Sequence, residues 1–107
     1  MTATEQLAPV FSALGDDTRW AILTRLGQAP ASASALAREL PISRQAIVKH
    51  LELLSAAGLV ESERAGRELV YRALGGRLSD VARELERIGR SWDARLARLK
   101  RLAEAPD

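Results

Sequence analysis

The stretch from Ser32 to Leu54, SASALARELPISRQAIVKHLELL, carries two apolar stripes at helical spacing on either side of a break at Leu40-Pro41-Ile42-Ser43. Ala33, Leu36, Ala37 and Leu40 make the first stripe, and Ile47, Leu51 and Leu54 make the second. Pro41 ends the first helix, because proline disfavours helical geometry at the residue before it. Ser43 is placed to cap the second, although Ala46 stands where a capping box carries Glu or Gln. On a helical wheel Gln45, Lys49 and Glu52 fall nearly opposite the apolar line, with Arg44 and Val48 on one flank. This is the outline of a helix-turn-helix whose second helix, residues 43–57, offers a basic and amide face to a DNA groove.

Working outward, Gly58 is a helix stop, and Leu59 is placed to pack back onto the last turn. An alternating run then reaches Arg64, a turn falls at Ala65-Gly66-Arg67-Glu68, and a second alternating run spans Leu69 to Leu74. Two such runs about one short turn predict a β hairpin, a wing behind the recognition helix. Upstream, Leu7, Val10, Phe11 and Leu14 recur at i, i+3, i+4 and i+7, predicting a helix over 4–14 that stops at Gly15. Asp16 can cap the next helix, whose buried stripe is Ile22, Leu23 and Leu26 and which ends near Gly27. The expected fold is mainly α with a small two-stranded β wing: four helices, two strands, then a fifth helix. It is a winged helix-turn-helix built as a single domain over residues 1–107.

The fifth helix, about residues 78–103, carries Leu78, Val81, Leu85, Ile88, Trp92, Leu96 and Leu99 at spacings of three and four. This is a narrow apolar stripe on a charged rod. One small domain cannot easily bury both this stripe and that of the first helix. A homodimer whose terminal helices, 4–14 and 78–103, pack on their mates buries both, through Leu7, Val10, Phe11, Leu85, Ile88, Trp92, Leu96 and Leu99. The alternative is that the last helix folds back onto its own core.

Composition restricts the classes of function. At 107 residues the chain supports one core. Apolar residues are 47% and charged residues 28%, ordinary for a globular chain. No apolar run approaches the ~20 residues of a membrane helix. The N-terminal residues lack the basic and apolar regions of a secretory signal, so a cytoplasmic location with no membrane partner is expected. The absence of cysteine excludes disulfides and thiolate metal sites. With one histidine, no glycine-rich phosphate loop and no evident pair of carboxylates, nothing indicates an enzyme or a cofactor. The net charge is only +2, but the sequence pI of 9.7 favours an anionic partner.

On the recognition helix, Arg44 can donate two bonds to a guanine edge and Gln45 can pair with an adenine edge. Ser43 and the first-turn amides suit a phosphate, at the positive end of the helix dipole. Val48 is the one apolar residue on this surface, and Lys49 suits a phosphate. Glu52 lies beyond the groove or accepts from a cytosine amine. His50 falls beside the core stripe, where packing and a phosphate contact are both open. At the wing tip, Arg64 and Arg67 can lie along a minor groove or a backbone, while the neighbouring Glu61, Glu63 and Glu68 fit an ordinary solvated turn.

Four segments together carry a resemblance: Gly-Asp-Asp-Thr-Arg-Trp-Ala-Ile-Leu from Gly15, Ile-Ser-Arg-Gln-Ala-Ile-Val-Lys-His-Leu from Ile42, Ala-Ala-Gly-Leu-Val from Ala56, and Gly-Arg-Glu-Leu-Val-Tyr-Arg from Gly66. From about Leu7 to Leu74 the chain resembles the ArsR-type winged-helix repressors. The resemblance implies a dimeric transcriptional regulator that binds an inverted repeat in double-stranded promoter DNA and is released by a signal. It also implies DNA contacts from Ser43, Arg44, Gln45, Lys49 and His50 in the major groove, and from Arg64 and Arg67 on the wing.

The departures are informative. Metal-sensing members carry cysteines on the third helix, where this chain has Ala33, Leu36 and Ala37. On the last helix Asp80 matches a ligand position, but Ala82, Asp93 and Leu96 stand where histidines or a further carboxylate belong. Oxygen ligands alone hold zinc or nickel weakly, so no metal response is expected. Asp17 replaces a proline and suits a first helical turn. Trp20 replaces a commonly polar residue, at a partner surface or simply half-buried. The segment from Ile88 to Leu99 is similar to a subgroup without metal sites, some of whose members are linked to genes for START-like lipid- or aromatic-binding proteins. No effector, small molecule or protein, is named by these residues. The rival reading is a winged helix that binds a protein partner, which an apolar recognition face would favour. Arg44, Gln45 and Lys49 favour DNA.

Overall fold

The computed structural model describes residues 3–104, with side chains from Ala8 onward. Its elements run α1 (Ala3–Leu14), α2 (Asp17–Leu26), β1 (Ala31–Ser32), α3 (Ala33–Glu39), α4 (Arg44–Ala56), β2 (Val60–Ala65), β3 (Glu68–Ala73) and α5 (Gly75–Glu104). The mainly helical fold with a wing is as expected. The sheet is wider than expected, because β1 pairs antiparallel with β3, giving the order β1-β3-β2. Ala31 and Ser32 oppose Tyr71 and Val70. Two residues are too few to show an alternating pattern, so no sequence signal marks this strand.

Local chemistry sets each helix start. Asp16, Ser32 and Ser43 are all extended N-cap residues whose side chains accept from the backbone amides of Arg19, Ala35 and Ala46. Helix α4 ends in a Schellman arrangement. Gly58 sits at φ +75°, its N–H donates to Ser55, and the Leu59 N–H reaches back to Leu54. Leu59 is fully buried, the hydrophobic contact that accompanies this motif.

One core holds these parts together. Ile22, Leu36, Ile47, Leu51, Leu54, Leu59 and Val10 are its largest fully buried side chains. The stripes read from α2 and α4 are buried as expected, and Ala37 and Leu40 of α3 pack partly buried at the margin. Outside the core, Arg25 joins α2 to α3 through a two-pronged bond with Glu39, at 2.6 and 3.2 Å.

The terminal helices divide their apolar residues between two tasks. Val10 corrects the expectation that it belongs to an interface: it is 0% exposed in the core of its own chain, on the inner side of α1. Phe11, on the other side, is 45% exposed. Leu7 lies outside the residues whose side chains are described. On α5, Val81 is buried and Leu78 and Ile88 pack partly against the core. Leu85, Trp92, Leu96, Leu99 and Leu102 are exposed, and the last four are more than half so. The helix begins at Gly75, a turn earlier than its apolar stripe suggests, and its 30 residues span about 45 Å. Its outer part therefore projects from the core. The Cα radius of gyration is accordingly 19.1 Å, against roughly 13 Å for a compact chain of this length.

Candidate nucleic-acid interface

The recognition surface is built on α4, positioned from both ends. The Ser43 cap fixes its start, with Ser43 Oγ accepting from the Ala46 N–H at 3.1 Å. That bond consumes one of the first-turn amides expected to serve a phosphate. Buried Ile47, Leu51 and Leu54 set the rotation of the helix. Gln45 and Lys49 are consequently exposed, with Glu52 on the same arc. Val48 is half-buried on the flank and packs partly against the core.

Arg44 is exposed but does not point along the arc. Its Nε donates to Ser34 Oγ at 3.0 Å, linking the start of α4 to the start of α3. Together with Val48 it lines a groove of about 330 Å³ whose other side is the wing. Arg64, Arg67, Glu68, Leu69 and Tyr71 complete that side, with Ser32, Ala33 and Ser34 at the floor from β1 and α3. Spacing alone puts Arg44 with the base readers and the wing arginines elsewhere. The fold brings the three arginines to one groove.

The wing tip is a two-residue turn, since Ala65 pairs directly with Glu68. Gly66 takes φ +65° and Arg67 stays at negative φ, which fits a type II′ hairpin with glycine at its first central position. Glu61 and Arg72 face each other across the strands, and the carboxylate accepts from Arg72 Nε at 2.6 Å. This partner holds the Arg72 guanidinium above its ordinary pKa. Among the described residues Arg64, Arg67, Lys49 and Gln45 have no such partner.

His50 faces the start of α2. Its side chain is 22% exposed, and its Nδ1 lies 3.9 Å from Asp16 Oδ2 and 3.4 Å from Arg19 Nη1. The ring packs against the start of α2 and is not presented with Gln45 and Lys49. Arg19 carries no signal in the sequence that singles it out. It donates to the carbonyls of Ser12 and Ala13 at the end of α1 while meeting His50. An arginine in the first turn of a helix gives no hint of a partner 31 residues away. The Asp16 carboxyl sits below its usual range, chiefly because the Arg19 backbone N–H donates to it.

No group of His, Asp and Glu suited to a metal ion occurs among the described residues. Likewise, no helix among them is long and apolar enough to cross a membrane.

Comparison with known proteins matches this geometry. Residues 14–63 match a family described as a helix-turn-helix domain. An HTH-type transcriptional regulator of Mycobacterium tuberculosis is 40% identical over 77 residues, 72% of each chain. An ArsR-like transcriptional regulator from Rhodococcus sp. RHA1 superposes with a TM-score of 0.89 at 60% identity, covering 96% of this chain and 97% of that one. A homodimeric winged helix-turn-helix DNA-binding domain from Mycobacterium bovis superposes at 0.66 with 31% identity, covering 84% and 81%.

Proposed function

Because this chain belongs to the ArsR-type winged helix-turn-helix transcriptional regulators, we propose that it acts as a dimeric repressor, binding a pseudo-palindromic promoter site through α4 and the wing. The observation that carries the reading is the state of its basic and amide groups. Among the described residues Lys49, Arg64 and Arg67 stand without an ion-pair partner and Gln45 is exposed, while nearby Glu61 is engaged by Arg72. Unpaired cations beside a helix shaped for the major groove suit the duplex, whose affinity rests on phosphate contacts and whose sequence is read at base edges.

In this reading Gln45 and Val48 face bases, as an amide for adenine and an apolar side for a thymine methyl. Lys49 and the Ser43 hydroxyl approach phosphates. His50 supports the helix from behind. The reaction cycle is binding and release without a catalytic step, in the cytoplasm, and no metal takes part.

Dimerisation is supported by the exposed side of α1 and α5. Leu85, Trp92, Leu96 and Leu99 form an apolar row along one rod that is too long to stay in water, and Phe11 adds a further exposed apolar side chain on α1. Ile88 lies at the margin between that side and the core. The Mycobacterium bovis relative is described as homodimeric. A two-fold axis sets the recognition helices one DNA turn, or about 34 Å, apart.

The direct test is fluorescence anisotropy with promoter DNA from upstream of the protein's own gene, at two salt concentrations, with scrambled duplex as control. Preferential, saturable and salt-sensitive binding to the promoter is expected. Equal weak binding to that promoter, to other promoters and to scrambled DNA would instead favour a protein partner for the same surface.

A further inference from the structure

The bond from Arg44 Nε to Ser34 Oγ turns the guanidinium off the outer arc of α4. It lines the same groove as the wing arginines. We propose that Ser34, Arg44, Arg64 and Arg67 form one clamp for a backbone phosphate of duplex DNA, with Ser34 positioning Arg44 as a phosphate ligand and not as a reader of a base edge. The assignment rests on the DNA-binding reading above and divides its labour: Gln45 and Val48 read, while the groove holds the strand.

Charge and shape in the groove support this. Three guanidinium groups line it against one carboxylate, Glu68. Leu69 sits opposite Arg64 in the hairpin register, and Leu69 and Tyr71 give the wing wall apolar patches between the cations. A sugar-phosphate chain has that alternation of anionic group and apolar ring. With about 330 Å³, the groove holds far more than a single ion, since a liquid water occupies roughly 30 Å³.

The geometry at Arg44 argues the same way. Reading a guanine takes two parallel donors aimed at O6 and N7 from a helix face inside the major groove. Arg44 has committed Nε to Ser34 and is oriented toward the wing, leaving its two terminal nitrogens as donors. A phosphate accepts such donors from many directions and carries no base information. Arg64 and Arg67 flank a rigid two-residue turn, which brings their charge to the groove without a long flexible loop.

The experiment is a salt series of anisotropy titrations on promoter and scrambled duplexes with the full chain. Wild type is compared with Arg44→Ala, Ser34→Ala, the double variant and Glu68→Gln. Arg44→Ala is expected to weaken both duplexes by the same factor, on the order of tenfold. The slope of log K against log salt should fall by about 0.9 for each phosphate that is no longer neutralised. Ser34→Ala is expected to reproduce part of that effect alone and to add nothing in the Arg44→Ala background. Glu68→Gln should tighten both duplexes. Both arginine and serine sites are on the surface, and a melting curve shows that each variant is folded.

A loss confined to the promoter, with the salt slope unchanged, makes Arg44 a base reader and overturns the clamp. Equal losses from Ser34→Ala in both backgrounds remove Ser34 from the positioning role. If wild type itself shows no salt-dependent affinity for any duplex, the proposed function fails, and that outcome is distinct from either of these.

Discussion

Arg19 Nη1 lies 3.4 Å from His50 Nδ1, while the same guanidinium donates to the carbonyls of Ser12 and Ala13. One side chain of α2 thereby covers the open end of α1 and braces the middle of the recognition helix. Carbonyls at a helix C-terminus lack intrahelical donors, and a cation there also meets the negative end of the dipole. Arg19→Ala is therefore expected to lower stability by about 1.5–3 kcal/mol, the range for hydrogen bonds to a charged group. His50→Ala should also destabilise the fold, with the salt dependence of DNA binding unchanged. Denaturant unfolding and the salt series check the pair: a shallower slope for His50→Ala would restore it to the phosphate contacts.

Arg25 and Glu39 join α2 to α3 outside the core, and their titration has a definite sign. The guanidinium beside Glu39 lowers its carboxyl below the ordinary value. A depressed carboxylate stabilises the folded state above its unfolded pKa of about 4.3, and that contribution fades as pH falls through the lower folded value. Arg25→Ala should thus lower the melting midpoint near neutrality, with the gap to wild type closing in acid. Melting curves across that range decide it. A gap that stays constant into acid would show that Arg25 acts through packing and its bond to the Ala29 carbonyl and not through the carboxylate.

Much of this arrangement is legible in the sequence because it depends on period and caps. The stripes of α2 and α4, the caps Asp16 and Ser43, the stop at Gly58 and the turn at Gly66 are local patterns that tertiary packing preserves. Non-local relationships are not legible. β1 exists only because β3 lies beside it, and Arg19 meets His50 only after three helices have packed. The same limit explains Val10 and Phe11. Both belong to one apolar stripe in the sequence, yet the core takes Val10 and leaves Phe11 in water. Helical periodicity puts Arg44 on a flank of α4, but Ser34, its hydrogen-bond partner on another helix, cannot be read from spacing.

The division between Val10 and Leu96 predicts opposite failures. Val10→Asp buries an unpaired carboxylate in the core and should abolish folding at ordinary temperature. Leu96→Asp places the charge on the exposed side of α5, where Leu96 is 57% exposed. It should leave the helical spectrum intact while shifting the species to monomer, as read by sedimentation. A folded, dimeric Leu96→Asp protein would remove this part of α5 from the interface.

Gly58 and Gly66 share a positive φ, but a Cβ would meet different surroundings. At Gly58, φ +75°, the nearest added contact is Arg77 Nε at 3.9 Å, so the cost is backbone strain without a clash. Alanine there should cost about 1–2 kcal/mol through the left-handed conformation. At Gly66, φ +65°, nothing lies within 4 Å. The strain is larger, because the first central position of a type II′ turn favours glycine more strongly than the left-handed helical region does, but the hairpin tip is solvated and can open locally, so Gly66→Ala should weaken DNA binding more than it lowers the melting midpoint. The reverse ranking would mean that the turn is held by the core and not by its own hydrogen bonds.

Gln45 and Lys49 share the exposed arc of α4 and provide the sharpest distinction between reading and holding. Gln45→Ala should cost about 1–3 kcal/mol on the promoter and relax preference at one base pair, with scrambled DNA little affected. Lys49→Ala should weaken both duplexes alike and flatten the salt slope. The contrast follows from chemistry: a neutral amide releases no counterions and gains only from a matched edge, whereas an ammonium gains from any phosphate it reaches. Titrations of both variants on promoter duplexes with single base-pair changes measure the two effects together. If Gln45→Ala lost affinity uniformly, this face of α4 would be lying along the backbone, and the dimer would place its helices differently from the spacing of one DNA turn.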